Sequence, residues 1–345
     1  MMDRVRTLIM LGRPRTCMPG VLAFALGYSY TGGGVTARMA LGGVLAFSIG
    51  FCANLHNAAT DVPEDSRNLP GRARLVATVG HARLMAFCRV LGGLMLLGGL
   101  ALGTYFTILM TLAVVGLHQY SAPPVRSKGR PLLGLWVFAQ AVVFPFLFGW
   151  TTEPGGMLET LVASIGATLH VGAAPPWQAA WQSWRYLGMW FFLTLWFMAK
   201  GCFKNVPDYA GDRAAGLRTS ATVFATRRDA ALAAAIATGA AYLSLGVLVA
   251  AGLERPAVLG ALVWLFPVMG NCARLVRAAD PSAGNDVLRA DMALSTGFIA
   301  TLLLLVAPRP VNVALAVGAG LVILGSDLVG LDSRRRQDAS PAKAA

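Results

Sequence analysis

The stretch LMAFCRVLGGLMLLGGLALGTYFTILMTLAVVGLHQ, from Leu84 to Gln119, decides how this chain folds. It is apolar for 36 residues and interrupted only by Arg89 and a few small or hydroxylated side chains. A helix needs about 20 mostly apolar residues to cross a bilayer, so this run is nearly twice too long for one crossing. The simplest break is a tight hairpin in the glycine-rich region from Gly98 to Thr104, which makes it two spans.

Read outward from that hairpin, the chain offers ten spans: Thr16 to Gly32, Met39 to Ala58, Leu84 to Leu102, Thr104 to Gln119, Leu133 to Thr151, Tyr186 to Cys202, Ala230 to Gly252, Ala257 to Ala273, Val287 to Ala307 and Val311 to Val329. Of its 345 residues, 56% are hydrophobic and 13% charged, more apolar surface than one water-soluble core of this length normally holds. The unbroken runs suit helices, not barrel strands. The expected class is therefore all-α, a polytopic membrane helix bundle. One transmembrane catalytic domain is expected over residues 1–330, followed by a disordered cytoplasmic tail, 331–345, which is polar from Asp332 onward.

The formal net charge is +13, yet the basic residues lie in loops between apolar spans and form no stripe of the kind that binds nucleic acid. Topology accounts for them. With both termini in the cytoplasm, 24 of the 29 Lys and Arg residues fall on the cytoplasmic side, six of them from Lys200 to Arg228. Only Arg38, Arg185, Arg255 and Arg309 fall on the other side, with Arg89 inside a span. The cell membrane is the expected location, with the first apolar run retained as a span and not cleaved as a signal peptide. Five scattered cysteines without a Cys-x-x-Cys pair argue against disulfides and against a thiolate metal site. No obligate protein partner is evident. Trp177, Trp181 and Trp184 precede an aromatic-rich span and fit an interfacial belt.

Two segments carry chemistry. At the end of the second span, NLHNAATDVPEDSRNLPGR places Asn57, Asp61 and Asp65 four residues apart, the spacing of one helical face. Pro63 is expected to end or bend the helix, leaving Asp65 on a loop. After the sixth span, KNVPDYAGDRAAGLRTSATVFA holds Asn205, Asp208 and Asp212 between Lys204 and Arg213. Both clusters are expected on the same side of the membrane. Carboxylates near bilayer depth are costly unless paired, hydrated or coordinating an ion. Four aspartates without matching buried cations would repel one another, and oxygen ligands without His or Cys suit a hard cation, with Mg²⁺ bridging to substrate phosphates as the expectation. Asp61, Asp65, Asp208 and Asp212 are thus the candidate metal ligands, with Asn57 as a ligand or orienting donor. Arg67, Arg126, Lys128, Lys204 and Arg213, with Asn205, are the candidate substrate-binding groups. Lys128 lies in YSAPPVRSKGRPLLG, Tyr120 to Gly134, whose basic residues are placed to fold over a phosphate.

Together these segments resemble the UbiA superfamily of intramembrane prenyltransferases. The first matches the family pattern N-x-x-x-D-x-x-x-D, the second resembles D-x-x-D-x-x-x-D, and the Tyr-Ser-x-Pro-Pro loop looks like its counterpart in members that make quinones, chlorophylls and archaeal lipids. The resemblance covers roughly Arg13 to Ala307. It implies a nine-helix core around a central cavity, with Mg²⁺ and a prenyl diphosphate between the motifs under a cytoplasmic cap. Asn205 stands where the family often has Asp, and Val311 to Val329 is one span beyond nine. The reaction implied is ionisation of an isoprenyl diphosphate and transfer of the prenyl group to an aromatic or lipid-like acceptor. Internal cyclisation to a terpene, as in UbiA-type cyclases, is the alternative, and a transporter with intramembrane acids is a third reading.

Overall fold

The computed structural model describes residues 2–154, 177–278 and 280–333. Helices occupy all ten of the expected apolar stretches. In chain order they are α2 (Pro14–Tyr30), α3 (Ala37–Thr60), α6 (His81–Leu102), α7 (Thr104–Ser121), α8 (Pro131–Thr151), α9 (Trp177–Asn205), α11 (Arg227–Ala250), α12 (Leu265–Arg277), α13 (Pro281–Val306) and α14 (Pro310–Leu328). Four shorter helices flank them: α1 (Met2–Gly12), α4 (Val62–Asn68), α5 (Pro70–Val79) and α10 (Tyr209–Ala214). A 3-10 stretch, Pro256–Trp264, leads into α12. Among the described residues eight helices are long and apolar enough to cross a membrane; α2 and α7 are not among the eight.

Local chemistry sets the helix ends. Pro14, Pro131, Pro281 and Pro310 start helices, where the missing N–H costs nothing. Thr36, Thr226 and Asp280 cap α3, α11 and α13 by accepting from the backbone N–H three residues on. The long apolar run breaks at Gly103, whose φ of +115° is open to glycine and strained for other residues.

Buried apolar side chains form two clusters, one centred on α2, α8, α9, α11 and α13, the other on α3, α6 and α7. The first is tightened where α2 meets α8. A Cβ on Gly27 would lie 2.0 Å from the Phe146 carbonyl oxygen, and one on Gly149 would lie 2.3 Å from the Tyr28 nitrogen. Such small residues let helix backbones touch, the usual device where lipid supplies no hydrophobic force between helices. The outer surface is apolar: Val90, Leu94 and Leu97 on α6, and Val317, Leu321 and Leu324 on α14, are all more than half exposed. Their spacing of three and four residues makes lipid-facing stripes.

Three expectations need correction. Asp65 sits on α4, a short helix following the break at Asp61, and not on a loop. Lys200, counted from sequence with a basic loop, lies inside α9 and is buried. Asp332 and Ser333, expected in a disordered tail, are also buried, because Asp332 pairs with Arg13 at 3.1 Å and with Arg15 at 3.6 Å. Residues 334–345 and the side chains of Trp177 and Trp181 lie outside the described residues; Trp184 is exposed, while Phe192, Trp196 and Phe197 are buried in the core.

The α2–α8 contact predicts that Gly149→Ala forces the two helices apart and sharply lowers the unfolding temperature in detergent. Gly318→Ala, where an added Cβ meets nothing within 4 Å, should leave it unchanged or slightly raised. Equal melting of the two variants would contradict the close crossing.

Candidate active site

The helix ends bring the two acidic segments to one cavity. Asp61 closes α3 and opens α4, so the chain turns while Asp61, Glu64 and Asp65 stay together. After α9 ends at Asn205 a turn through Pro207 leads to α10, which carries Asp212. One mouth-like cavity of about 450 Å³ is lined by Asn57, Asp61 and Asp65 from the first motif and by Asn205, Asp208 and Asp212 from the second.

A side-chain amide links the two halves. Asn68, at the end of α4, donates from Nδ2 to the Asp208 carbonyl at 3.2 Å and accepts at Oδ1 from the Gly211 N–H at 3.0 Å. A Cβ on Gly211 would fall 2.2 Å from that oxygen, so the loop passes close enough only because residue 211 is glycine.

Buried cations accompany the acids, contrary to the sequence reading of four unpaired aspartates. Arg72, from α5, is 3% exposed; it donates to Asp65 and lies 3.9 Å from Asp61. Lys128 reaches in from the Tyr120 to Gly134 loop, pairing with Asp61 and with Glu64 at 3.1 Å. Asn57 Oδ1 accepts from Ser121 at 2.6 Å, and Asn205 Nδ2 donates to Ser220 at 2.9 Å. Five carboxylates thus line the mouth with three cations, Arg72, Lys128 and Lys204. Arg126 also pairs with Glu64 from outside the lining, so one negative charge remains in excess when all are ionised. At Asp212 burial first and the neighbouring Asp208 second raise the carboxyl to about 7.

Sequence reasoning missed Arg72, Glu64 and Asn68. Arg72 read as one more topological charge, and Glu64 and Asn68 fall outside the four-residue spacing. Of the expected substrate-binding groups, Lys128, Lys204 and Asn205 line the mouth. Arg67, Arg126 and Arg213 are exposed and do not line it. Arg126 is turned to Glu64, and Arg213 donates to Tyr209 and to the Ala225 carbonyl.

Beneath the mouth lies a chamber of about 1330 Å³ between the two cores, walled by α2, α3, α7, α8, α9 and α13. Mouth and chamber share Asn57, Arg72, Tyr120 and Lys204 in their linings. The lower walls are largely apolar, with Ile49, Leu117, Phe138, Phe144 and Phe197 among them. The arrangement accepts a molecule with an anionic head and a long apolar body.

The sequence profile of the UbiA prenyltransferase family matches residues 16–295. The chain belongs to that family. It is a multi-pass membrane protein and an enzyme, a prenyltransferase. Among similar proteins, the lycopene elongase/hydratase of Corynebacterium glutamicum is 29% identical over 289 residues, covering 82% of this chain and 89% of its own length. A digeranylgeranylglyceryl phosphate synthase of Halobacterium salinarum is 28% identical over 303 residues, 84% of this chain and 94% of its own. A UbiA homologue from Archaeoglobus fulgidus, solved with GPP and Mg²⁺, shares the fold with a TM-score of 0.59 at 17% identity, over 87% of this chain and all but 1% of its own.

The Asp212 site predicts a pH dependence in metal-free protein. Its folded value lies above the ordinary 3.8, so the folded state holds this proton more tightly, and the stability it contributes is lost as pH rises through about 7. Raising the pH from 6 to 8 should lower the wild-type melting temperature more than that of Asp212→Asn. Parallel curves would contradict the repulsive site.

Proposed function

We propose that this prenyltransferase ionises an isoprenyl diphosphate in a Mg²⁺-dependent reaction and passes the prenyl group to a lipid-like or aromatic acceptor held in the same chamber. The observation that carries the reading is the junction of a mouth lined by both acidic motifs with a chamber lined mainly by apolar side chains. An allylic diphosphate has that polarity, head to tail.

The donor set fits Mg²⁺. Oxygen ligands predominate, the mouth carries excess negative charge, and its Asp208 and Asp212 carboxylates repel each other. Among the described residues no three acidic, His or Cys side chains already surround a common point. Mg²⁺ commonly takes one or two carboxylates directly and completes its shell with water and substrate phosphates. Asp61, Asp65, Asp208 and Asp212 would hold it, one or two of them directly and the others through its waters, and when bound it would offset charge on the diphosphate and so favour its departure.

The chain's own residues do the rest. Arg72, Lys128 and Lys204 offer N–H donors to phosphate oxygens that the ion leaves free. Asn57, held by Ser121, orients the head at the boundary between mouth and chamber. The apolar walls keep water from the developing allylic cation. Tyr120, Phe138 and Phe197 line the same space, where aromatic rings favour positive charge. Transfer to an acceptor, not internal cyclisation, is supported by the names of the similar proteins: an elongase/hydratase of lycopene and the synthase of a lipid with two geranylgeranyl groups.

Asp61→Ala and Asp208→Ala should each reduce turnover by about 100-fold or more, since each removes a carboxylate that would hold the ion at the leaving group. Mass spectrometry of lipid products formed from geranylgeranyl diphosphate in membranes, with Mg²⁺ and with a chelator, measures this. Undiminished product from either variant rejects the assignment.

A further inference from the structure

Below the mouth, the chamber wall holds a buried ion pair outside both acidic motifs. Lys200 Nζ on α9 lies 2.8 Å from Asp291 Oδ1 on α13, and each side chain is 4% exposed. Both residues line the chamber. Lys204, four residues on from Lys200, lines mouth and chamber alike. One face of α9 therefore carries a cation at the mouth and another one helical turn, about 6 Å, deeper.

The surroundings single the pair out. Asp291 is the sole acid among the described residues lining the chamber. Ser295, one turn further along α13, lines the same wall at 1% exposure, and its Oγ has no hydrogen-bond partner among the described residues. The Tyr242 ring, fully buried on α11, packs 5.2 Å from the Lys200 ammonium. Two other polar side chains of the chamber are engaged within the protein: Asn54 donates to the Gly12 carbonyl and to Thr16, and Gln140 donates to the Trp136 carbonyl.

We propose that Lys200, Asp291 and Ser295 form the subsite for the acceptor, and that the acceptor presents a hydroxyl group to it. The inference rests on the transfer reading above and adds the chemical class of the second substrate. A stabilising role is weakly supported for such a pair, because replacing a buried ion pair with packed apolar residues is often neutral or stabilising. An ammonium beside a carboxylate offers a donor and an acceptor together, the complement of a hydroxyl with its one O–H and two lone pairs. Ser295 adds a second hydroxyl partner. The pair carries no net charge, so it gives little attraction to an anionic acceptor head. A hydrocarbon acceptor would leave the Ser295 hydroxyl, and the donors and acceptors that the pair does not use on itself, without a partner in an apolar wall, at a cost in free energy. Placed one turn below the mouth, the subsite sets the hydroxylated end of the acceptor beside the carbon that parts from diphosphate: the C1–O bond to diphosphate breaks with its electron pair leaving on the diphosphate, the acceptor oxygen bonds to C1, and its proton passes to the Asp291 carboxylate.

The test uses the full chain in lipid nanodiscs with geranylgeranyl diphosphate, Mg²⁺ and four acceptor probes: a monogeranylgeranyl glycerol ether, its O-methylated derivative, a long-chain alkylphenol and lycopene. The wild type should prenylate a hydroxylated probe and not the methylated one or lycopene. The double variant Lys200→Met/Asp291→Leu should lose about 10- to 100-fold in kcat/KM for the hydroxylated probe, with diphosphate binding within about twofold of wild type. Asp291→Asn, which keeps volume and shape, should show the same split between the two substrates if the double variant fails to fold. Unchanged acceptor kinetics in a folded variant would overturn the subsite. So would prenylation of lycopene or the methyl ether at the rate of the alcohols, or binding of diphosphate with no prenylation of either hydroxylated probe. Failure of the wild type to bind geranylgeranyl diphosphate at all sinks the transfer reading itself.

Discussion

The side-chain amide of Asn68 reaches from the end of α4 to the turn after α9, donating to the Asp208 carbonyl while accepting from the Gly211 N–H. Those partners lie 140 and 143 residues away in sequence, and the rest of the site follows from their meeting. With the turn held there, Asp208 and Asp212 face the cavity that Asp61 and Asp65 also line. The approach requires a residue without a side chain at 211. An Asn at 68 is suited to it because one planar amide offers a donor and an acceptor a short distance apart.

Around that link the electrostatics are graded with depth. The mouth holds five acids and three cations. One turn deeper the charge balances, in the Lys200–Asp291 pair. Apolar and aromatic side chains dominate the remaining walls, where a charge would be poorly solvated and water excluded. The proposed reaction, which would leave a diphosphate at one point and a cation at the next, fits such a gradient. The gradient would keep the polar leaving group near the opening and the reactive carbon away from water.

The same end of the bundle is closed by a second set of charges. Arg13, at the joint of α1 and α2, lines the chamber and bonds Asp332 beyond the last helix. Arg15 and Arg289 both reach Asp327 at 2.5 Å, on α14. Three arginines and two aspartates thereby fasten the last helix to α2 and α13, and the polar residues that follow α14 begin as part of the packed structure.

The sequence alone was enough for the class of fold and the kind of chemistry. Hydropathy and helical spacing are local properties, so ten apolar stretches, the break near Gly103, the two Asn-and-Asp motifs and the resemblance to UbiA enzymes could be read along the chain. Pairing is not local. Arg72 and Lys128 read as loop charges and proved to be buried partners of Asp65 and Asp61, while Arg67 and Arg213 stayed at the surface. Lys200, near the end of the expected sixth span, was counted among the cytoplasmic basic residues, and the packing of α9 set it against Asp291. Which of several similar charges is buried depends on how helices from distant parts of the chain pack, because desolvation and ion pairing act through space, and only the tertiary structure decides that.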